Sequence, residues 1–281
     1  MIRARFCTRH MDIVSCKRLS AGLAMQLKSV LGAFVLVFCF LPAVGLAADD
    51  PLTFTYDPPK DLSKHREIEL WGTFYHTRIA KDQPDGHDLL NKHDKPIGPK
   101  LGRTDWCKAA LEGAAVIEMK DGSKVIVNVR DADGPAQVNC SPLYPHLSAR
   151  ARNGMRHTRF FKITSPKVKY GYGIDDMPLA AFRTIAVDRH QVPIRYRSLV
   201  FIPKLKGRNL TLADGTAITH DGYVFAADTG SGVHGHHIDF YTGFVNTNPF
   251  PDLAGGERHR FKAYLVTDEA IHKQMLELHS D

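Results

Sequence analysis

Residues Asp221–Gly243 restrict the fold more than any other part of the chain. Two short apolar runs, Tyr223–Asp228 and His237–Tyr241, flank a turn with glycine at 230, 232 and 235. Each run reads as a β-strand and carries one carboxylate, Asp228 or Asp239. Alternation places Ile238 and Phe240 on one face, with Asp239 and Tyr241 on the other. A carboxylate inside an apolar strand is costly unless it is hydrogen-bonded, paired or put to use. Asp228 ends its strand, where carboxylates commonly accept turn N–H bonds. Asp239 lies mid-strand and has no such local explanation.

The rest of the chain continues this pattern. Ile68–Thr77, Arg159–Ile163, Thr184–Asp188, Leu199–Pro203 and Arg260–Val266 read as further short strands. Ala115–Met119 and Lys124–Val129 flank Lys120-Asp121-Gly122-Ser123, a hairpin signal. A short helix is expected over Asp105–Leu111, with Thr104 as N-cap and Gly113 as its stop. A terminal helix is expected over Thr267–Leu278, with Ile271, Met275 and Leu278 on one face. Asp49–Lys64 reads as an extended arm, while Arg78–Gly102 and Asp131–Asn153 read as loops. Short strands dominate and helices are few, so the expected class is mainly β, closed into a small barrel.

Three chemistries compete for the glycine-rich turn. Gly230-x-Gly232-x-x-Gly235 has the spacing of a dinucleotide fingerprint, but that motif must open a helix and a strand follows here. Asp228-Thr229-Gly230-Ser231 resembles an aspartic-protease motif. That chemistry needs two carboxylates sharing a proton, and the chain has no second Asp-Thr/Ser-Gly. The third reading draws on more of the chain. Arg183-Thr-Ile-Ala-Val-Asp188, Val192-Pro193, Ala226-Ala-Asp228-Thr-Gly-Ser-Gly-Val-His-Gly235 and Ile238-Asp239-Phe-Tyr241 occur in that order. Together they resemble the three-aspartate (3D) domain and the catalytic barrel of membrane-bound lytic murein transglycosylase A. Thr73-Phe74-Tyr75 resembles the strand that opens such barrels. Arg195–Ser198 and His234 depart from the family pattern.

The resemblance implies a six-stranded double-psi β-barrel with an inserted α+β lobe and a short C-terminal helix. It divides the chain into a leader (1–47), an arm and first barrel strand (48–77), an inserted lobe or long loops (78–165) and the barrel (166–281). It implies a lyase that cleaves the MurNAc–GlcNAc β-1,4 bond of peptidoglycan and leaves 1,6-anhydroMurNAc ends. Asp239 would be the catalytic acid and Asp228 its neighbouring carboxylate. Thr73, Tyr75, Asp188, Thr229, Gly230, His234 and Tyr241 would contact glycan strands. No cofactor or metal is implied; His236 and His237 are adjacent on a strand and point to opposite faces. A non-catalytic glycan-binding or wall-loosening barrel, as in expansin-like relatives, is the alternative function, with the Asp-Thr-Gly protease behind it.

Charge and the leader place the chain. The formal net charge is +7. The first 47 residues hold Arg3, Arg5, Arg9, Lys17, Arg18 and Lys28 against Asp12, which leaves 31 basic and 29 acidic side chains beyond them. A nucleic-acid partner is therefore not expected. The basic stretch, the apolar run Val30–Leu41 and the small residues before Asp49 have the layout of a cleaved signal peptide. The run is short of the roughly 20 residues of a membrane span, so no stable membrane insertion is expected after cleavage. Met11 and Met25 are alternative starts. Cys39 follows Phe38 rather than a small residue, so no lipobox is read, and the expected location is periplasmic or secreted. Cys107 and Cys140 remain beyond the leader. A pair in an oxidising compartment points to one disulfide, worth roughly 3–4 kcal/mol for a loop of this length.

Overall fold

A computed structural model describes residues 54–281. The leader, its cleavage point and Cys7, Cys16 and Cys39 lie outside the described residues. After an extended approach, strand β1 (Arg66–Tyr75) begins the barrel. The chain then leaves it for β2 (Arg78–Lys81), β3 (His87–Leu90), β4 (Pro96–Leu101), helix α1 (Arg103–Glu112), β5 (Ala114–Glu118), β6 (Lys124–Asp131), helix α2 (Ala149–Arg156) and β7 (Arg159–Ile163). It returns with β8 (Thr184–Val187) and β9 (Leu199–Phe201), makes a small hairpin of β10 (Asn209–Thr211) and β11 (Ala217–Thr219), and finishes the barrel with β12 (Tyr223–Thr229), β13 (His237–Tyr241) and β14 (Phe261–Val266). Helix α3 (Glu269–Leu278) follows, capped by the Asp268 side chain accepting from the Ile271 N–H.

The six barrel strands close in the order β1-β13-β8-β12-β9-β14. Two neighbouring pairs, β1/β13 and β8/β12, are parallel; the other four are antiparallel. The expected mainly β class and closed six-stranded barrel are therefore present, with the short C-terminal helix. Leu70, Ile185, Val200, Ala226, Ile238 and Phe240 belong to the main core. Helix α3 covers a second apolar patch, burying Met275 among residues that include Phe201, Phe225 and Val266.

Between β1 and β8 the chain builds its own four-stranded sheet, β2-β5-β6-β7, and its own core around Trp106, Val127 and Phe160. Cys107 and Cys140 are bonded within that core. The Asp121-Gly122 hairpin forms as the sequence implies.

Three local expectations need correction. Arg78–Gly102 is not a loop, because β2, β3 and β4 lie within it. Its strands escape a pattern search because each buries only one or two apolar residues: Ala80, Leu89 and Leu101. The β3–β4 turn is held by Asn91, whose side-chain oxygen accepts from the N–H groups of His93 and Lys95. Helix α1 starts two residues earlier than Thr104 would cap, with Gly102 as its N-cap, and Gly113 ends it at φ 88°. Helix α2 begins inside the supposed Asp131–Asn153 loop, capped by Ser148; only Met155 on it is buried, so no apolar periodicity announced it. The β10–β11 hairpin had no apolar run to mark it either.

One polar interaction fixes how two barrel strands meet. Arg183, immediately before β8, is fully buried. Its two terminal nitrogens donate to the two oxygens of Asp221 at 2.6 and 2.7 Å, and one also donates to the Tyr223 carbonyl at 2.7 Å. Phe54 lies 4.0 Å beneath the guanidinium. Asp221 stands just before β12, so the pair locks the starts of two parallel strands together. Replacing one partner of a buried pair strands the other charge, so Arg183→Met is expected to lower unfolding free energy by about 3–5 kcal/mol. Urea denaturation checks this, and Arg183→Met with Asp221→Leu should recover much of the loss.

Candidate active site

The barrel register assembles the site. On β8, Ala186 pairs with Asp228 of β12 on one side and with Asp239 of β13 on the other. Asp239 in turn pairs with Thr73 of β1. Thr73, Asp239, Ala186 and Asp228 therefore form one row across four strands. The neighbouring row, Phe74, Phe240, Ile185 and Ala226, is apolar. Unbroken alternation would give Asp228 the face of Ala226. A register shift between Ala226 and Asp228 adds Ala227 as an extra residue and carries Asp228 into the row of Asp239. Bulges re-aim side chains in this way.

Both carboxylates are half-buried and each has a hydroxyl donor. The Tyr75 hydroxyl donates to Asp228 Oδ2 at 2.6 Å, and the Thr229 N–H donates to Oδ1 at 2.8 Å. Thr73 Oγ1 lies 2.9 Å from Asp239 Oδ1. Burial pushes the Asp228 pKa up to about 6, against the lowering effect of its two donors. Burial pushes Asp239 up to about 7, opposed by Thr73 and reinforced by the charges of Glu112 and Asp228. Desolvation is thus the main cause, and like-charge repulsion adds to it. An acid with a pKa near 7 is suited to give and take a proton at neutral pH.

The other candidate residues divide. Thr73 and Tyr75 reach the carboxylates, as described. The Thr229 hydroxyl donates to the Val187 carbonyl. Gly230 is half-buried and His234 exposed on the turn. Two of the candidates are placed differently from the others. Asp188 is a tie within the loops: its oxygens accept from the N–H groups of Gly235 at 2.6 Å and His190 at 2.8 Å, and those bonds hold its pKa below the usual carboxylate range. Tyr241 is fully buried, packed against Tyr75 and Tyr170, with its hydroxyl 2.6 Å from Thr77 Oγ1. Simple alternation missed this because both faces of β13 are covered.

Two residues near the site escaped the sequence reading. Glu112, at the end of α1, is paired with Lys108 at 3.1 Å, yet burial raises its pKa, and its charge acts on Asp239. Trp71 stacks flat on His237, with ring centroids 3.8 Å apart. The histidine cluster disperses: His236 Nδ1 lies 2.6 Å from the Glu69 carbonyl oxygen, while His237 contacts Thr73. Among the described residues, no group of three or more His, Cys, Asp or Glu is placed to hold a metal. None of their helices is long and apolar enough to cross a membrane.

An open cavity of about 440 Å³ runs beside the turn. Leu111, Val129, Met155, Arg189, Ser231 and His234 are among the residues that line it.

Residues 183–267 match the family model of the 3D domain, which spans β8 to the end of β14. Over those residues the chain resembles a 3D domain, and its barrel resembles that of lytic transglycosylase A. Among solved structures, E. coli MltA with bound chitohexaose aligns at 15% identity with a TM-score of 0.42, over 70% of this chain and 71% of that one. A membrane-bound lytic murein transglycosylase from Agrobacterium tumefaciens aligns at 16% identity and TM-score 0.42, over 76% and 79%. The lytic transglycosylase LtgG of Burkholderia pseudomallei aligns at 16% identity and TM-score 0.35, over 71% of each. No curated protein sequence matches the chain.

The raised pKa values have a thermodynamic consequence. An aspartate in the unfolded chain titrates near 3.9, whereas folded Asp239 titrates at about 7. Between those values the folded state binds the extra proton, so stability falls as pH rises through the window. Asp239→Asn removes that penalty. It is expected to stabilise the protein by about 2 kcal/mol near pH 8, after discounting for partial exposure, and by close to nothing near pH 4. Urea midpoints of both proteins across pH measure the difference.

Proposed function

We propose that the protein is a peptidoglycan lytic transglycosylase, exported to the periplasm or beyond, that cleaves the MurNAc–GlcNAc β-1,4 bond without water. The observation that carries this reading is a single carboxyl group, Asp239, whose pKa of about 7 keeps it substantially protonated at neutral pH, on the strand of a 3D domain. The Asp239 proton passes to the glycosidic oxygen as the bond from that oxygen to the MurNAc anomeric carbon breaks. The MurNAc 6-hydroxyl oxygen bonds to the same carbon and gives its proton to the Asp239 carboxylate. One product ends in a 4-hydroxyl, the other in a 1,6-anhydro sugar, and Asp239 is again protonated. One carboxyl serves both steps, because no water needs a separate base, unlike most glycoside hydrolysis.

Asp228 supports this role from two strands away. Its charge favours the protonated form of Asp239. The Tyr75 phenol, itself pushed well above its ordinary pKa by burial and by Asp228, stays protonated as the donor that holds that carboxylate. The cavity beside the turn, lined by apolar Leu111, Val129 and Met155 and polar Ser231 and His234, offers surface for sugar rings.

Digestion of purified sacculi by the wild type is expected to release 1,6-anhydro-muropeptides, identified by mass spectrometry. Asp239→Asn should lower that release by about 10²–10⁴-fold, the usual weight of general acid–base catalysis. Products with ordinary reducing ends would show hydrolysis instead. Retention on sacculi with no products would favour the non-catalytic glycan-binding alternative.

A further inference from the structure

Thr73 stands between two partners. Its Oγ1 lies 2.9 Å from Asp239 Oδ1 and 2.8 Å from His237 Nε2. The other ring nitrogen of His237, Nδ1, lies 3.3 Å from the Gly232 carbonyl oxygen. A carbonyl oxygen only accepts, so a neutral His237 carries its proton on Nδ1. Nε2 is then bare and accepts the Thr73 hydroxyl. That hydroxyl has one proton. An ionised Asp239 draws it to the carboxylate and leaves Nε2 facing a lone pair; a protonated Asp239 leaves it on Nε2 and donates to Thr73 instead. All three contacts are made at once only with a proton on Asp239. Donation runs one way: Asp239 to Thr73, Thr73 to His237, His237 to Gly232.

We propose that His237 is a positioning residue that acts through Thr73 to hold the proton on Asp239 in the resting enzyme. The proposal rests on the reading of Asp239 as the acid of glycan cleavage. When Asp239 gives up its proton, Thr73 can turn its hydroxyl to the carboxylate only by leaving its own lone pair facing Nε2. That conflict disfavours the carboxylate and favours its taking the next proton offered. The chain of hydrogen bonds itself gains and loses no proton over the cycle.

The surroundings agree. Asp239 faces Thr73 and Tyr75 of β1, Asp228 of β12 and Glu112 of α1. His237 faces Trp71 of β1 and His234 of the turn. Burial lowers the His237 pKa, and His234 adds to the effect against the Gly232 contact, which keeps the ring neutral near pH 7. Trp71, parallel to the ring within 3°, fixes its plane so that Nε2 points at Thr73.

His237→Phe keeps an aromatic ring for Trp71 but cannot accept a hydrogen bond. Thr73 is then free to donate to the Asp239 carboxylate, which favours ionisation. Cleavage needs protonated Asp239, so activity falls as pH rises through its pKa. In His237→Phe that falling limb is expected about one pH unit lower than in the wild type, a tenfold change in the ionised fraction. Thr73→Val removes the donor to the anion and should move the limb the other way. A residue with a purely structural role would lower kcat at every pH and leave the limb in place, and that result would overturn the proposal. Two NMR measurements on the full chain need no turnover. Nitrogen-15 spectra of the wild type should show the Nδ1–H tautomer of His237 at neutral pH; an Nε2–H tautomer would refute the proposal without any variant. Carboxyl carbon-13 titration should show a lower Asp239 pKa in His237→Phe. If the wild type released no anhydro-muropeptides, the proposed function would fail while these spectra still decided the role of His237.

Discussion

The buried pair of Arg183 and Asp221 is the constraint on which the site depends. It joins the residue before β8 to a residue just before β12, and those two strands run parallel. A parallel pair has no hairpin turn to set its register. Slippage by one residue would exchange the two faces of a strand. The guanidinium, held by both carboxylate oxygens and the Tyr223 carbonyl, ties the two strand starts in the observed register. Such pairs contribute little net stability, because desolvation offsets most of their attraction. The value of this one lies in what it excludes. From its register follow the pairing of Ala186 with Asp228 and, through β13, the placing of Asp239 in the same row.

Within that row, function and stability pull apart. Burial raises both carboxylate pKa values, and each raised value is free energy withheld from the folded state above the unfolded pKa. The protein limits the cost by giving each carboxylate a donor, Tyr75 for Asp228 and Thr73 beside Asp239. It does not remove the cost, since neither donor restores an ordinary carboxylate. Sites that must carry perturbed groups are commonly built at some expense of stability. Here the apolar row of Phe74, Phe240, Ile185 and Ala226 lies directly alongside.

The barrel strands were legible because their signals are local. β13 runs from end to end as the apolar pattern implies, and β8, β9, β12 and β14 differ by a residue or two. Asp228 and Asp239 could be picked out because a charge in an apolar strand contradicts its surroundings. What the pattern could not carry was distance in sequence. Glu112 reaches the site from a helix whose segment has little amphipathic order, and no residue near it marks that destination. Asp188 belongs to the motif, but its oxygens are taken by Gly235 and His190, a result of loop closure rather than of strand alternation. The three histidines at 234, 236 and 237 look like one group in sequence. The turn sends them to solvent, to the Glu69 carbonyl and to Thr73.

The position of Ala186 also bears on the protease-like Asp-Thr-Gly. Two aspartates that share one proton must place their carboxyl groups in direct contact. Here the Cα atoms of Asp228 and Asp239 are separated by a strand, with Ala186 between them, so about two strand spacings, or 9–10 Å, lie between their backbones. Each carboxylate instead has its own hydroxyl: a tyrosine for one, and a threonine linked to histidine for the other. Their coupling is through space, and in Asp239 it ranks behind burial and Glu112. Each carboxyl group is held by its own network of hydrogen bonds, and Asp239 has the higher pKa of the two. That favours chemistry in which a single group first gives a proton and then takes one back.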